Sequence, residues 1–262
     1  MGGTAAGWID LTGRLALVTG GGSGIGRASA LAIAGAGATT IVLDRDEQAA
    51  EATVAAIVAG GGEARARMIE VGSEADWQAL GDWIDDEWGR IDILVNSAGI
   101  ARFDRVDDGM FATYREVFQV NVEGTLHGMA TALRFMRPAG RGAIVNISST
   151  ASLKGNPAMA SYGASKAAVS HFTRSAALET NRAGLDIRIN AVMPGFTDTA
   201  MAEAVHRQFD DKLGGRDKTL AVFSSGRAAQ PEEIANLVLF LASDRASYIS
   251  GSTISIDRAQ GA

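Results

Sequence analysis

A tyrosine and a lysine, Tyr162 and Lys166, stand four residues apart in a segment with helical spacing. Residues at i and i+4 share one face of a helix, about 6 Å apart at Cβ, so we expect the amine to lie beside the phenol. A free phenol has a pKa of about 10 and is a poor base at neutral pH. An adjacent ammonium stabilises phenolate and lowers that pKa, which makes the tyrosine usable as a general acid or base.

A serine, Ser149, lies thirteen residues before this tyrosine and just after the apolar run Ala143–Ile147. If that run is a parallel strand, its carboxyl end faces the ligand crevice of the sheet. A hydroxyl there can hydrogen-bond a substrate oxygen while Tyr162 exchanges its proton. The neighbouring Ser148 is expected to point into the fold, because alternate residues of a strand face opposite sides. A tyrosine and lysine at this spacing are common on helix surfaces, and the strand-end serine favours the catalytic interpretation.

A glycine-rich loop, Thr19–Gly26 with the sequence TGGGSGIG, follows the first predicted strand and precedes a predicted helix. Glycines there permit a tight turn and let backbone N–H groups approach a pyrophosphate at the positive end of the helix. A purely structural turn is the alternative. The position between a strand and a helix favours a dinucleotide site, with contacts from Gly20, Ser23, Gly24, Ile25 and Gly26.

An acidic residue, Asp44, ends the second predicted strand, 18 residues after Gly26. A carboxylate there can accept both hydroxyls of an adenosine ribose and repels a 2′-phosphate, which favours NAD over NADP. Asp44 as a simple turn former is one alternative. The other is an NADP site in which the adjacent Arg45, or Arg27, binds the phosphate.

Short apolar runs alternate with helical patterns along the whole chain. The predicted strands are Leu15–Thr19, Thr40–Asp44, Met68–Val71, Ile91–Val95, Ala143–Ile147, Ile187–Val192 and Thr253–Ile256, and the predicted helices are 25–35, 46–59, 74–88, 110–136, 161–182 and 231–242. This alternation predicts one α/β domain over 1–262, a Rossmann-type doubly wound sheet of about seven mostly parallel strands with helices on both faces. The range 196–226 breaks the rhythm and is expected to be a substrate lid.

Composition narrows the function classes. The chain has 262 residues, 47% hydrophobic residues, a net charge of −6 and no cysteine. An acidic chain without Lys or Arg runs is not expected to bind nucleic acid, and without a long apolar stretch no membrane span is expected. The lack of cysteine excludes thiolate chemistry and cysteine-based metal sites, and His127, His171 and His206 are too isolated to suggest a metal centre. A chain with no recognisable secretory signal and no disulfides suits the cytoplasm.

Several motifs follow one another in a recognisable order. They are Thr19–Gly26 (TGxxxGxG), Asn96–Gly99 (NSAG), Asn121, Ser149, Tyr162 with Lys166, and Pro194-Gly195 with Thr197 and Thr199. With them the chain resembles the classical short-chain dehydrogenase/reductase family over nearly its whole length. The resemblance implies an NAD(H)-dependent oxidoreductase that interconverts a secondary alcohol and a ketone, and a homotetramer or homodimer with the helices near 110–136 and 161–182 as contact surfaces.

The resemblance also implies individual roles. Tyr162 would be the acid/base, Lys166 would lower its pKa and hold the nicotinamide ribose, Ser149 would stabilise the substrate oxygen, and Asn121 would hold a water linking Lys166 to solvent. Asn96 and Gly99 would shape the crevice beside the adenosine ribose. The remaining implied cofactor contacts are Glu70, Val71, Ala98, Pro194, Gly195, Phe196, Thr197 and Thr199, besides the glycine loop, Asp44 and Arg45.

Three positions depart from the family pattern. Ser97 replaces the second asparagine of NNAG, Glu70 stands where an aspartate often precedes the valine, and Asp257-Arg258 stands where Asp-Gly is common. The third departure argues against a subunit contact made through the glycine of that Asp-Gly turn.

Substrate contacts are expected from apolar segments around the catalytic residues. The named candidates are Arg102, Ser149, Leu153, Tyr162, Met193 and Phe196. Such a lining favours a neutral, moderately hydrophobic alcohol, cyclic ketone or polyol-like compound. Two alternatives stay open, an NADP(H)-dependent ketone reductase and a non-catalytic dinucleotide-binding sensor, and the complete set of proton-transfer residues argues against the sensor.

Overall fold

One parallel sheet forms the centre of the protein, for which the computed structural model describes residues 8–107, 109–155, 157–204 and 226–261. Its strands are β1 (Leu15–Thr19), β2 (Thr39–Asp44), β3 (Ala64–Met68), β4 (Ile93–Asn96), β5 (Arg141–Ile147), β6 (Asp186–Pro194) and β7 (Thr253–Ile256). The strand order is β3-β2-β1-β4-β5-β6-β7, with every neighbouring pair parallel. The chain leaves β1 toward β2 on one side and returns beside it as β4, which opens a crevice at their carboxyl ends.

Helices cover both faces of the sheet. They are α1 (Gly24–Gly35), α2 (Glu47–Ala59), α3 (Glu74–Glu87), α4 (Phe111–Phe118), α5 (Gly124–Ala139), α6 (Ala160–Arg182) and α7 (Pro231–Ala242). Alternate strand residues supply two separate cores: Val18 packs with α1 and α7, whereas the adjacent Leu17 packs with α3 and α5. The predicted Rossmann-type doubly wound sheet is therefore confirmed.

The third strand was placed wrongly by the sequence analysis. The apolar run predicted a strand at Met68–Val71, but β3 is Ala64–Met68, with the sequence ARARM. It is an edge strand, so small and charged residues alternate: the guanidinium groups of Arg65 and Arg67 lie over Trp88 and Trp83. Apolar content identifies strands buried on both faces and misses an edge strand of this kind.

The predicted continuous helix 110–136 is interrupted. A π-helical turn, Gln119–Glu123, separates α4 from α5, and it contains Asn121. The loop after β3 packs closely against this region, because a Cβ on Gly124 would come 2.8 Å from Val71 Cγ2. Wide turns of this kind often occur at functional sites.

Candidate active site

A cavity of about 950 Å³ lies at the carboxyl ends of the strands. The loops that follow β1, β2, β4, β5 and β6 all contribute to its wall, as expected for a doubly wound sheet. The sequence-predicted residues on that wall are Gly20, Ser23, Gly24, Ile25, Gly26, Asp44, Arg45, Glu70, Val71, Ala98, Gly99, Ser149, Tyr162, Lys166, Pro194, Gly195, Phe196, Thr197 and Thr199. One cavity therefore contains both the glycine loop and the predicted proton-transfer residues Ser149, Tyr162 and Lys166.

The glycine loop has a shape that side chains would block. Gly20 adopts φ +64°, a left-handed conformation that favours glycine, and a Cβ there would come 2.9 Å from the Ala98 backbone. A Cβ on Gly26 would overlap the Gly20 carbonyl oxygen. The loop leads directly into the N-terminus of α1, where backbone N–H groups favour an anion. These features fit a pyrophosphate cradle.

Asp44 fixes the glycine loop and also faces the cavity. One carboxylate oxygen accepts a hydrogen bond from Gly22 N at 2.9 Å, and the other accepts from Asp46 N at 3.1 Å. A carboxylate has about four acceptor positions, so both oxygens keep capacity for a ligand hydroxyl.

Tyr162 and Ser149 line the same cavity wall, where the Ser149 hydroxyl interacts with the phenol. Ser149 lies just beyond β5, and its hydroxyl also accepts a hydrogen bond from Ala151 N at 3.1 Å, which orients the side chain. Desolvation raises the pKa of Tyr162, and the hydrogen bond with Ser149 opposes that shift. The net direction is opposite to the lowering expected from Lys166, whose ammonium nitrogen lies 5.9 Å from the Tyr162 ring centroid.

Lys166 is buried and tied to the end of β5. Its Nζ donates to the Ile147 carbonyl oxygen at 2.8 Å, while its own carbonyl oxygen accepts from Ser148 Oγ at 2.9 Å. Burial lowers the pKa of Lys166 to about 8. Ser148 thus points into the fold, as its position before Ser149 predicts.

Asn121 connects the π-helical turn to the loop after β4. Its Nδ2 donates to Ile100 O and to Ser165 Oγ, and its Oδ1 accepts from Ile100 N at 2.8 Å. A Cβ on Gly99 would lie 3.3 Å from both Asn121 Oδ1 and Lys166 Nζ. Asn121 therefore lies close to Lys166, and the water-holding role expected for it stays a prediction.

Asn96 is not among the described residues that line the cavity, and the crevice role expected for it stays a prediction. Its side chain is buried, donates to Asn146 Oδ1 at 2.9 Å, and lies under Gly128 of α5. Asn146 in turn donates to Thr173 Oγ1 of α6, at 2.9 Å. The side chain is therefore part of an internal network that ties β4 and β5 to α6.

Three predicted substrate contacts are absent from the described part of the cavity wall. Arg102 forms a bidentate ion pair with Glu116, Leu153 is mostly exposed, and Met193 is buried beneath Ser152. Apolar character alone had suggested Leu153 and Met193, and it does not reveal which way a side chain points. Residues 205–225 of the predicted lid lie outside the described residues, and 200–204 are helical.

The sequence analysis missed the C-terminal contribution to the cavity. Ala259 and Gln260 line it, together with Thr150 and Ala151 after β5. The positions of Ala259 and Gln260 could have been predicted, because β7 is parallel to the other strands and its carboxyl end reaches the same edge of the sheet.

Within the residues that the structure describes, no group of three or more His, Cys, Asp or Glu residues is placed to bind a metal ion. In the same residues, no helix combines the length and apolarity needed to cross a membrane.

Known proteins with the same architecture are numerous. The family model described as enoyl-(acyl carrier protein) reductase matches residues 20–258. Cyclopentanol dehydrogenase from Comamonas sp. is 37% identical over 244 residues, covering 93% of this chain and 95% of that protein. The 3-alpha-(or 20-beta)-hydroxysteroid dehydrogenase of Mycobacterium bovis is 34% identical over 251 residues, covering 94% and 89%.

Solved structures show the same similarity. Levodione reductase superimposes with a TM-score of 0.90 at 34% identity, covering 95% of this chain and 98% of that one. The structure described as a putative 2-deoxy-D-gluconate 3-dehydrogenase from Agrobacterium tumefaciens, with bound NADP, superimposes with a TM-score of 0.84 at 32% identity, covering 96% and 97%.

Proposed function

Since the chain belongs to the classical short-chain dehydrogenase/reductase family, we propose that it is an NAD(H)-dependent oxidoreductase interconverting a secondary alcohol and a ketone. The observation that carries the proposal is the pair Tyr162 and Ser149, with Lys166 nearby, in the cavity that also contains the glycine loop. A non-catalytic sensor has no need for that pair.

The proton-transfer residues act on the substrate oxygen. In the reducing direction Tyr162 gives its proton to the carbonyl oxygen while Ser149 holds that oxygen, and in the oxidising direction the phenolate removes the hydroxyl proton. Because desolvation raises the pKa of Tyr162, the phenol keeps its proton at neutral pH, the form that ketone reduction needs. A nicotinamide dinucleotide, when bound, supplies the hydride chemistry.

The residues suited to hold that cofactor are spread along the cavity. The glycine loop and the N-terminus of α1 fit the pyrophosphate, and Asp44 fits the adenosine ribose. The carboxylate of Asp44 supports NAD, because it would repel a 2′-phosphate. Arg45 on the same wall, and the NADP bound to one structural relative, keep NADP(H) as the second candidate.

The catalytic end of the cavity favours a neutral, moderately hydrophobic substrate. Its apolar residues include Ile100, Ala151, Met159 and Phe196, and Lys154 on the same wall bonds the Gln260 carbonyl oxygen. Relatives named for cyclopentanol and hydroxysteroids support a cyclic secondary alcohol or ketone as the substrate class.

Two measurements test the proposal in sequence. Saturation binding of NADH and NADPH comes first, and tighter NADH binding is expected. The second measurement is turnover of a panel of cyclic and acyclic alcohols and ketones, monitored through the absorbance of the reduced cofactor. Tighter NADPH binding selects the alternative cofactor, and cofactor binding with no turnover across the panel favours the sensor.

We also propose that the protein forms a homotetramer or homodimer through α4, α5 and α6. Large apolar side chains are exposed on α4 and α6, namely Phe111, Tyr114, Phe172 and Leu178. Light scattering of the purified protein is expected to give two or four times the chain mass of 27.1 kDa.

A further inference from the structure

The chain ends in a compact hook, Asp257–Gly261, directly after β7. Asp257 organises it, since one carboxylate oxygen accepts from Ala259 N at 3.1 Å and the other accepts from Gly261 N at 2.9 Å. Gln260 N also donates to the Asp257 carbonyl oxygen at 3.1 Å. This self-bonded turn gives the C-terminal hook a defined conformation at the carboxyl edge of the sheet.

Two consecutive residues of the hook have strained backbones. Arg258 adopts φ +48° and Ala259 adopts φ +65°, in the left-handed region that disfavours residues with a Cβ. Such conformations persist only where the surroundings impose them, and they concentrate at ligand sites and switches. One external clamp is visible: Lys154 Nζ donates to the Gln260 carbonyl oxygen at 2.7 Å.

The side chain of Gln260 makes a specific contact with the loop after β6. Its Oε1 accepts a hydrogen bond from Phe196 N at 2.9 Å, and both residues line the cavity. The approach requires glycine at the preceding position, because a Cβ on Gly195 would collide with Gln260 Oε1. A carboxamide thus accepts from a backbone donor on the wall that also contains Tyr162.

We propose that the Gln260 side chain is a placeholder for a ligand carboxamide, and that the C-terminal hook and the nicotinamide end of the cofactor compete for Phe196 N–H. The inference rests on the proposed function. Nicotinamide carries the same functional group as glutamine, and its carbonyl oxygen needs an N–H donor at the reacting end of the cavity. Whichever carboxamide bonds Phe196 N–H excludes the other, so cofactor binding and the position of the hook are coupled.

The coupling has a calculable effect on affinity. If the hook holds Phe196 N–H in most molecules, the apparent affinity for the cofactor is reduced by the fraction of molecules in which that donor is free. A hydrogen bond to a neutral carbonyl contributes a net stabilisation corresponding to about a 2- to 10-fold change in such an equilibrium. Removing the competitor is therefore expected to tighten cofactor binding by about that factor.

Gln260→Ala tests this directly. The probes are NADH, or NADPH where that binds more tightly, and ADP-ribose or its 2′-phosphorylated form, which lack the nicotinamide. The expected result is a Kd for the whole dinucleotide that falls about 2- to 10-fold, with the Kd of the truncated ligand unchanged. Gln78→Ala, the same substitution on the exposed surface of α3, is the matched control and leaves both constants unchanged.

Two further variants separate competition from simple support of the loop. Gln260→Glu keeps an acceptor and adds charge, which strengthens the bond to Phe196 N–H and is expected to weaken dinucleotide binding. Asp257→Ala keeps the Cβ but loses both hook hydrogen bonds, so it is expected to act in the same direction as Gln260→Ala.

The outcomes distinguish failure of the placeholder proposal from failure of the proposed function. Weaker or unchanged dinucleotide binding in Gln260→Ala overturns the placeholder and identifies the glutamine as a structural support or a bystander. An equal change for the truncated ligand overturns it as well, because that ligand has no carboxamide. If the wild-type protein binds neither dinucleotide, it is the proposed function that fails.

Discussion

Replacing Tyr162 with phenylalanine removes one oxygen atom and keeps the ring. The lost hydroxyl is the group proposed to exchange a proton with the substrate, and it is also the partner of Ser149. General acid–base catalysis contributes about 10²–10⁴ in rate, so kcat is expected to fall by that factor, or about 3–5 kcal/mol in activation free energy. Cofactor affinity is expected to stay within a few-fold of wild type, because the glycine loop and Asp44 are untouched.

Stability is the competing explanation for lost activity, and the structure bounds it. The substitution removes one interaction with Ser149, and the net loss in free energy of unfolding is expected to be about 1 kcal/mol at most, because burying the Tyr162 hydroxyl already costs free energy in the wild type. For a chain of this length such a loss lowers Tm by about 2–4 °C. A thermal scan and a cofactor titration of the variant therefore accompany the absorbance assay.

The chain offers a matched control. Tyr248 is fully exposed, at 103% of the reference area, so Tyr248→Phe makes the same chemical change without touching the cavity. It is expected to retain wild-type kcat. Activity of Tyr162→Phe within about tenfold of this control would refute the assignment of the phenol as acid/base.

Three more perturbations follow from individual contacts. Between pH 8 and 10.5 the free energy of unfolding of wild type is expected to rise by about 3 kcal/mol relative to that of Lys166→Met. The reason is that the unfolded chain still binds the proton that the folded protein has released near pH 8. Urea titrations at several pH values measure this, and a difference between the two proteins that does not change with pH contradicts it. Asp44→Ala is expected to lower the preference for NADH over NADPH by roughly 10-fold or more, measured as a ratio of Kd values, and an unchanged ratio excludes Asp44 as the discriminator. Asp104 is buried and accepts hydrogen bonds from the backbone N–H and the hydroxyl of Ser161 in the first turn of α6. Asp104→Ala is therefore expected to lower the free energy of unfolding by about 1–3 kcal/mol in a denaturant titration, whereas the exposed control Asp107→Ala leaves it almost unchanged. Equal losses in the two variants contradict this role of Asp104.

Local signals in the sequence predicted the part of the site that depends on short-range geometry. The glycine loop, Asp44 and the pair Tyr162 and Lys166 each lie at a strand end or within one helical turn, where spacing determines direction. The alternation of Ser148 and Ser149 belongs to the same class, because strand geometry assigns each residue to a face.

Other features depend on long-range packing. Asn96 precedes a motif that lines the cavity, yet its side chain bonds Asn146, fifty residues away in the chain. The sequence of β3 is polar because Trp83 of α3 and Trp88, just after that helix, supply partners for its arginines. Neither relation has a local signature.

The direction of the Tyr162 pKa shift also depends on long-range packing. Spacing placed an amine within reach of the phenol, but the loss of solvent around the phenol comes from the whole cavity wall. A helical repeat describes neighbours on one helix and carries no information about dielectric surroundings.

Both ends of Lys166 are attached to the carboxyl end of β5, through Ile147 and the following Ser148, and Ser149 is the next residue along the chain. The groups proposed as catalytic therefore take their mutual distances from one seam between a helix and a strand end, so a substitution that shifts α6 against β5 misaligns all of them together. Directed evolution of this enzyme toward a new substrate is therefore best aimed at residues outside this seam.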